Sequence, residues 1–136
     1  MKSFTLTLSF FLIACSQLTA QYLNSPAFLK PEKDFENIWS TVIHSDSLST
    51  STLIWIKKEV KAHRHAKHTE QVYVLEGSAD MKIDSEMISI VSGDLIFIPK
   101  NVIHSLKVTS GEPLKVISFQ SPQFLGKDRI FVKEKR

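Results

Sequence analysis

The chain has 136 residues, 43% of them hydrophobic and 23% charged, a net charge of +3 and a single cysteine. That is room for one domain with a packed core and little more. The weak positive balance argues against nucleic acid or a membrane surface as partner, and a lone Cys15 excludes a disulfide framework.

Met1 and Lys2 lead into an apolar run that ends near Ala14, and a polar stretch closes with Leu18-Thr19-Ala20. A basic start, a short apolar stretch and a small residue form the layout of a secretory signal peptide over residues 1–20. The run is too short to span a bilayer, so no membrane span is expected. The mature protein is expected outside the cytoplasm, periplasmic or secreted. Two processing readings stay open: cleavage after Ala20, or Leu12-Ile13-Ala14-Cys15 as a lipobox that anchors a lipoprotein through Cys15. Residues 21–35 contain Pro26 and Pro31 with little periodicity and read as an irregular arm. Residues 36–136 read as one domain.

Within that domain, β-branched and aromatic runs fall at Asn37–His44, Thr52–Lys58, Gln71–Leu75, Ala79–Ile83, Glu86–Val91, Leu95–Ile98, His104–Thr109, Pro113–Gln120 and Arg129–Val132. Turn signals such as Gly77-Ser78, Asp84-Ser85, Gly93-Asp94 and Pro99-Lys100-Asn101 separate them. Only Lys33–Ser40 offers a helical turn. Many short strands without a long helical period predict an all-β sandwich or barrel. Leu53–Ile56 and Leu95–Ile98 are apolar on both sides, so both faces are expected to be covered, the outer one by an extra strand or a second copy; a homodimer is a reasonable expectation. Lys57, Lys58, Lys61, Arg64 and Lys67 read as a solvated edge.

The chemistry concentrates in two segments, H-R-H-A-K-H-T-E from His63 to Glu70 and G-D-L-I-F-I-P-K-N-V-I-H from Gly93 to His104. Residues two apart in an extended strand point the same way, so His63 and His65 project together with Arg64 opposed. After a bend, Glu70, Val72 and Val74 share a face. His104 opens a further strand, in phase with Leu106. Three imidazoles and one carboxylate converging from different strands suit one divalent ion (Fe, Mn, Ni, Cu or Zn). Val72, Val74 and Leu106, in phase with the ligands, are the expected pocket walls. His68 is expected to support a ligand from behind or to face solvent. Trp55 and Phe119 read as core, Tyr73 as facing away from the site, and His44 as a surface residue.

These segments resemble the two cupin motifs. The first, G-x5-H-x-H-x3,4-E-x6-G, is matched from His63 through His65 and Glu70 to Gly77. The second, G-x5-P-x-G-x2-H-x3-N, is matched at Gly93, Pro99 and His104. The departures are Lys57 at the opening glycine, Asn101 after the proline and Val108 at the final asparagine. None is a ligand. The resemblance implies a small single-domain cupin, a double-stranded β-helix or jelly-roll barrel. It also implies a metal held by His63, His65, Glu70 and His104, and a small organic ligand. Dioxygenase, isomerase, decarboxylase and oxalate-type chemistry all occur with such a set, and a metal-dependent dioxygenase is the first expectation. The alternatives are a non-catalytic module of the cell envelope that binds a small ligand or metal, and a metal that only staples the fold.

Overall fold

The computed structural model describes residues 25–132. The expected signal peptide, with both processing sites at Cys15 and Ala20, lies outside the described residues. After a 3-10 turn at Pro26–Phe28, the described chain is built of strands: β1 (Ile38–Ser45), β2 (Thr50–Ile56), β3 (Glu59–Arg64), β4 (Thr69–Glu76), β5 (Ser78–Ile83), β6 (Glu86–Val91), β7 (Leu95–Ile98), β8 (His104–Val108), β9 (Leu114–Ser121) and β10 (Ile130–Phe131). They form two five-stranded sheets, β1-β2-β9-β4-β7 and β10-β3-β8-β5-β6. Every neighbouring pair is antiparallel. This is the all-β jelly-roll barrel expected from the sequence.

The inner faces meet over Ile56, Val74, Met81, Ile98 and Leu114, each no more than 2% exposed. Burying an aliphatic side chain of this kind is worth about 1.5–3 kcal/mol, so this layer is what holds the sheets together. Alternation along β4 (Glu70, Val72 and Val74 buried; Gln71 and Tyr73 exposed) sets its register against β9 and β7.

The β-branched run Thr52–Lys58 predicts one strand through Lys58, but β2 stops at Ile56 and β3 returns along β8. The turn carries no Gly, Asn or Pro signal because its support comes from elsewhere. Asn37 Oδ1 accepts the amides of Lys58 and Glu59, and Lys57 N–H donates to Asn37 O. Lys57 Nζ donates to Asp34 Oδ1 at 2.6 Å. Among the described non-glycine residues only Asp84 and Asn101 have positive φ, so Lys57 fills the motif's glycine position without strain. Asn101, at φ 67°, makes the left-handed turn that the motif gives to glycine. The helical turn at Lys33–Ser40 does not form: Ile38, Trp39 and Ser40 pair with Ile56, Trp55 and Ile54 of β2.

Leu53 and Trp55 point to the outer face of their sheet yet are 0% and 6% exposed. The arm lies near this face. Lys115 Nζ donates to Ala27 O and sits 5.7 Å from the Trp55 ring centroid, and Lys33 Nζ sits 5.3 Å from the Trp39 ring centroid. Phe119, read as core, alternates outward from Ser118 and is 39% exposed, beside exposed Tyr73 and Phe97.

Candidate metal centre

Glu70 sits mid-sheet on β4, between Ile98 of β7 and Gln120 of β9. The histidines belong to the other sheet. His63 and His104 are cross-strand partners on β3 and β8, with ring centroids 4.2 Å apart. A register shift between Val60 and His63 lets both line the interior although they are three apart, and His65 follows just past the end of β3. The donor atoms of His63, His65, Glu70 and His104 lie within 4.8 Å of one another, and all four residues are buried. Ligand atoms bonded to a single ion at about 2.0–2.2 Å have separations of this order.

The hydrogen bonds fix which nitrogens face inward. His63 Nδ1 lies 2.8 Å from Lys61 O, His65 Nδ1 2.5 Å from Asp128 O and His104 Nδ1 3.0 Å from Val102 O. A carbonyl only accepts, so each Nδ1 carries a proton and each neutral ring turns an unprotonated Nε2 toward the centre. His104 Nε2 is buried with no hydrogen-bond partner, and it stands 3.3 Å from Glu70 Oε2. His65 Nε2 stands 3.4 Å from the same oxygen. Lone pairs facing a carboxylate need a cation between them, either a proton or a metal.

Electrostatics agree with that competition. Burial, aided by the charge of His104, pushes the His63 imidazole down to about 4. Burial also works against charge on His65, but the Glu70 carboxylate outweighs it and raises its proton affinity. Burial opposes the Glu70 carboxylate too, yet His104, His65 and the Ser118 hydroxyl hold its carboxyl far below the usual range. Ser118 Oγ donates to Glu70 Oε1, which orients the carboxylate.

The group opens on a cavity of about 430 Å³ lined by His63, Glu70 and His104 together with Val72 and Leu106 of the expected wall. Val74 shares their face but does not line this cavity. Two residues further along β4, it is 0% exposed in the closed core. His68 is turned away from the centre. Its Nδ1 lies 2.6 Å from Asp128 Oδ2 and its Nε2 3.0 Å from Gln123 O, so neither nitrogen is free for an ion.

Asp128 carries no signal in the sequence yet braces the site. Its carboxylate takes His68 and the amides of Ala66 and Lys67, while its carbonyl orients His65. Burial works against its charge, but these donors lower its pKa to about 2. Nothing local marks this residue; only the return of the chain beside β3 brings it in. Arg129 reaches the cavity the same way, whereas Gln120, 3.3 Å from His65 Nε2, is placed by the pairing of β9 with Glu70 of β4.

A double-stranded β-helix with a buried three-histidine, one-glutamate group facing a cavity is a small barrel fitted for a metal site. The family is the cupins: residues 53–119 match the family model for a cupin domain, and cupins commonly bind a divalent metal. The chain is 34% identical over 80 residues to an uncharacterized protein of Aquifex aeolicus (59% of this chain, 65% of that one). It is 40% identical over 48 residues to quercetin 2,3-dioxygenase of Bacillus subtilis (35% of this chain, 14% of that one). It therefore spans just under two thirds of the first relative and a small part of the second. A solved structure from Klebsiella pneumoniae, a conserved protein with a double-stranded β-helix domain, superposes with a TM-score of 0.70 at 14% identity (83% of this chain, 98% of that one). That likeness is one of fold.

Proposed function

We propose that the chain binds one divalent transition metal through Nε2 of His63, His65 and His104 and a carboxylate oxygen of Glu70, and presents it to a small organic molecule in the cavity. The observation that carries this reading is the set of three Nδ1–carbonyl hydrogen bonds, which commits all three Nε2 lone pairs to one point. An ion there supplies Lewis acidity to a coordinated group. The protein's own part is orientation. Carbonyls fix the rings, Ser118 fixes Glu70, and Val72 and Leu106 give the cavity apolar walls beside the ligands.

Metal-dependent dioxygenation is the first choice of reaction. The partial likeness to quercetin 2,3-dioxygenase supports it. So does the cavity lining, where among the described residues the titratable groups are three candidate ligands and Arg129, with no separate general base. The second reading is a non-catalytic module that holds a small ligand or metal. The open cavity beside the ligands speaks against a metal that serves only as a staple. Export belongs to the proposal on the strength of the Met1–Ala20 pattern.

Elemental analysis of natively purified protein tests the site. A divalent metal near one equivalent is expected, and its absence from protein supplied with Fe, Mn, Ni, Cu and Zn overturns the reading. Oxygen consumption with a panel of phenols, thiols and diketones separates the enzyme from the binding module. Fractionation that finds the chain in the cytosol with Met1 intact would contradict export.

A further inference from the structure

Arg129 lines the cavity together with His63 and His104, and its charge is felt at both His63 and His65. It is exposed and makes no salt bridge or side-chain hydrogen bond among the described residues. Its backbone position explains the placement. Ile130 and Phe131 pair with Arg64 and His63, and Arg129 and Phe131, two apart along this edge, both border the cavity while staying exposed. Among the described residues Glu70 is the only acid lining the cavity, and its carboxylate already faces Ser118, His65 and His104. A divalent ion carries more charge than one carboxylate offsets, so the loaded site and Arg129 together leave this end of the cavity positive. The remaining walls are largely apolar, with Ile54, Ile56, Met81, Leu106 and Val116 facing the space.

We infer that the cavity takes an organic anion: a carboxylate with an apolar body, its charged end docked on the Arg129 guanidinium beside the metal position and its body against the aliphatic wall. This rests on the metal-site reading for the placement of the second positive charge. The Arg129 contact itself needs no metal. A planar guanidinium matches a carboxylate in a fork of two parallel hydrogen bonds, and few groups compete for it here. A volume of about 430 Å³ accommodates a ring and a short acid chain. Arg129 is thus assigned as a specificity-determining residue, with no part in bond making.

The test compares 3-phenylpropionate with its neutral counterpart 3-phenylpropanol by calorimetry and ligand-observed NMR, on metal-free and zinc-loaded full-length mature protein. Wild type is expected to bind the acid at least about tenfold more tightly than the alcohol in both states. Arg129→Met is expected to lose about that factor for the acid and nothing for the alcohol, and Arg129→Lys to keep part of it. Because Arg129 has no salt bridge or side-chain hydrogen bond among the described residues, both variants should keep the wild-type melting temperature. Equal binding of acid and alcohol, no binding of the acid, or an Arg129→Met protein that binds the acid as wild type does would overturn the inference. Zinc content measured on the same samples reports the metal reading separately: zinc present with no Arg129 effect sinks this inference alone, and zinc absent with the effect intact sinks the metal reading alone.

Discussion

His104 Nε2 faces Glu70 Oε2 across the seam between the two sheets, 3.3 Å away, while the other nitrogen of the same ring is spent on Val102 O. The first prediction follows from this contact. His65→Ala and His104→Ala should each remove most bound metal by elemental analysis, because each takes away an Nε2 that faces the Glu70 carboxylate. His68→Ala should retain metal, since both its nitrogens face other acceptors. Equal loss in all three would mean that the ligands are different ones.

Asp128 supports the segment that carries His65. Asp128→Ala removes the acceptor for two backbone amides and the His68 ring. Leaving the buried His68 donor unpaired costs about 1–3 kcal/mol before relaxation, and the two partly buried amides add less, so the melting temperature should fall measurably. With the Ala66–Lys67 bend loosened, metal affinity measured by chelator competition should drop about 10- to 100-fold. Unchanged affinity would show that the carbonyl alone positions His65.

Gly77 and Gly93 both have positive φ, at 85° and 97°, but only Gly77 is crowded. A methyl group there would stand 2.9 Å from Ser110 Oγ and 3.1 Å from the Leu114 backbone, whereas at Gly93 nothing lies within 4 Å. Gly77→Ala is therefore expected to destabilise by clearly more than the roughly 1–2 kcal/mol of backbone strain expected at Gly93→Ala. Thermal denaturation of the pair checks the order.

Leu114 is 0% exposed and Leu125 is 71% exposed. Leu114→Ala should cost about 2–5 kcal/mol in urea unfolding, and Leu125→Ala no more than about 0.5 kcal/mol. Similar costs would contradict the placement of the core.

Asp46 Oδ1 accepts the amides of Leu48 and Ser49 at 2.8 and 2.9 Å, and these bonds lower its pKa below the ordinary 3.8. The unfolded chain binds this proton more readily than the folded one, so the contribution is fully present above pH 3.8 and is lost as pH falls through the lower folded value. The difference in melting temperature between wild type and Asp46→Ala should be largest at neutral pH and close in acid. A difference that widens in acid would reverse the assignment.

The residues of the site were legible where chemistry and spacing coincide locally. His63, His65, Glu70 and His104 could be read because strand parity and a short turn keep them in phase. The edges of the strands were also largely visible, with Glu86–Val91 and Leu95–Ile98 expected and observed alike. Hidden were features whose cause lies far along the chain. The Lys57-Lys58 turn looks like a strand because Asn37 supplies its hydrogen bonds from outside. Val74 has the right parity for the pocket, but parity says nothing about depth. Asp128 and Arg129 have ordinary neighbours, and only the pairing of Ile130 and Phe131 with β3 gives them a role.

Asp128 is also made later than every candidate ligand, 63 residues after His65. A nascent chain therefore offers nitrogen and oxygen donors well before it can hold them in their final arrangement. The finished arrangement of the four donors waits for residues 128–131, which bring the brace for His65 and the Arg129 guanidinium to the cavity in one stroke.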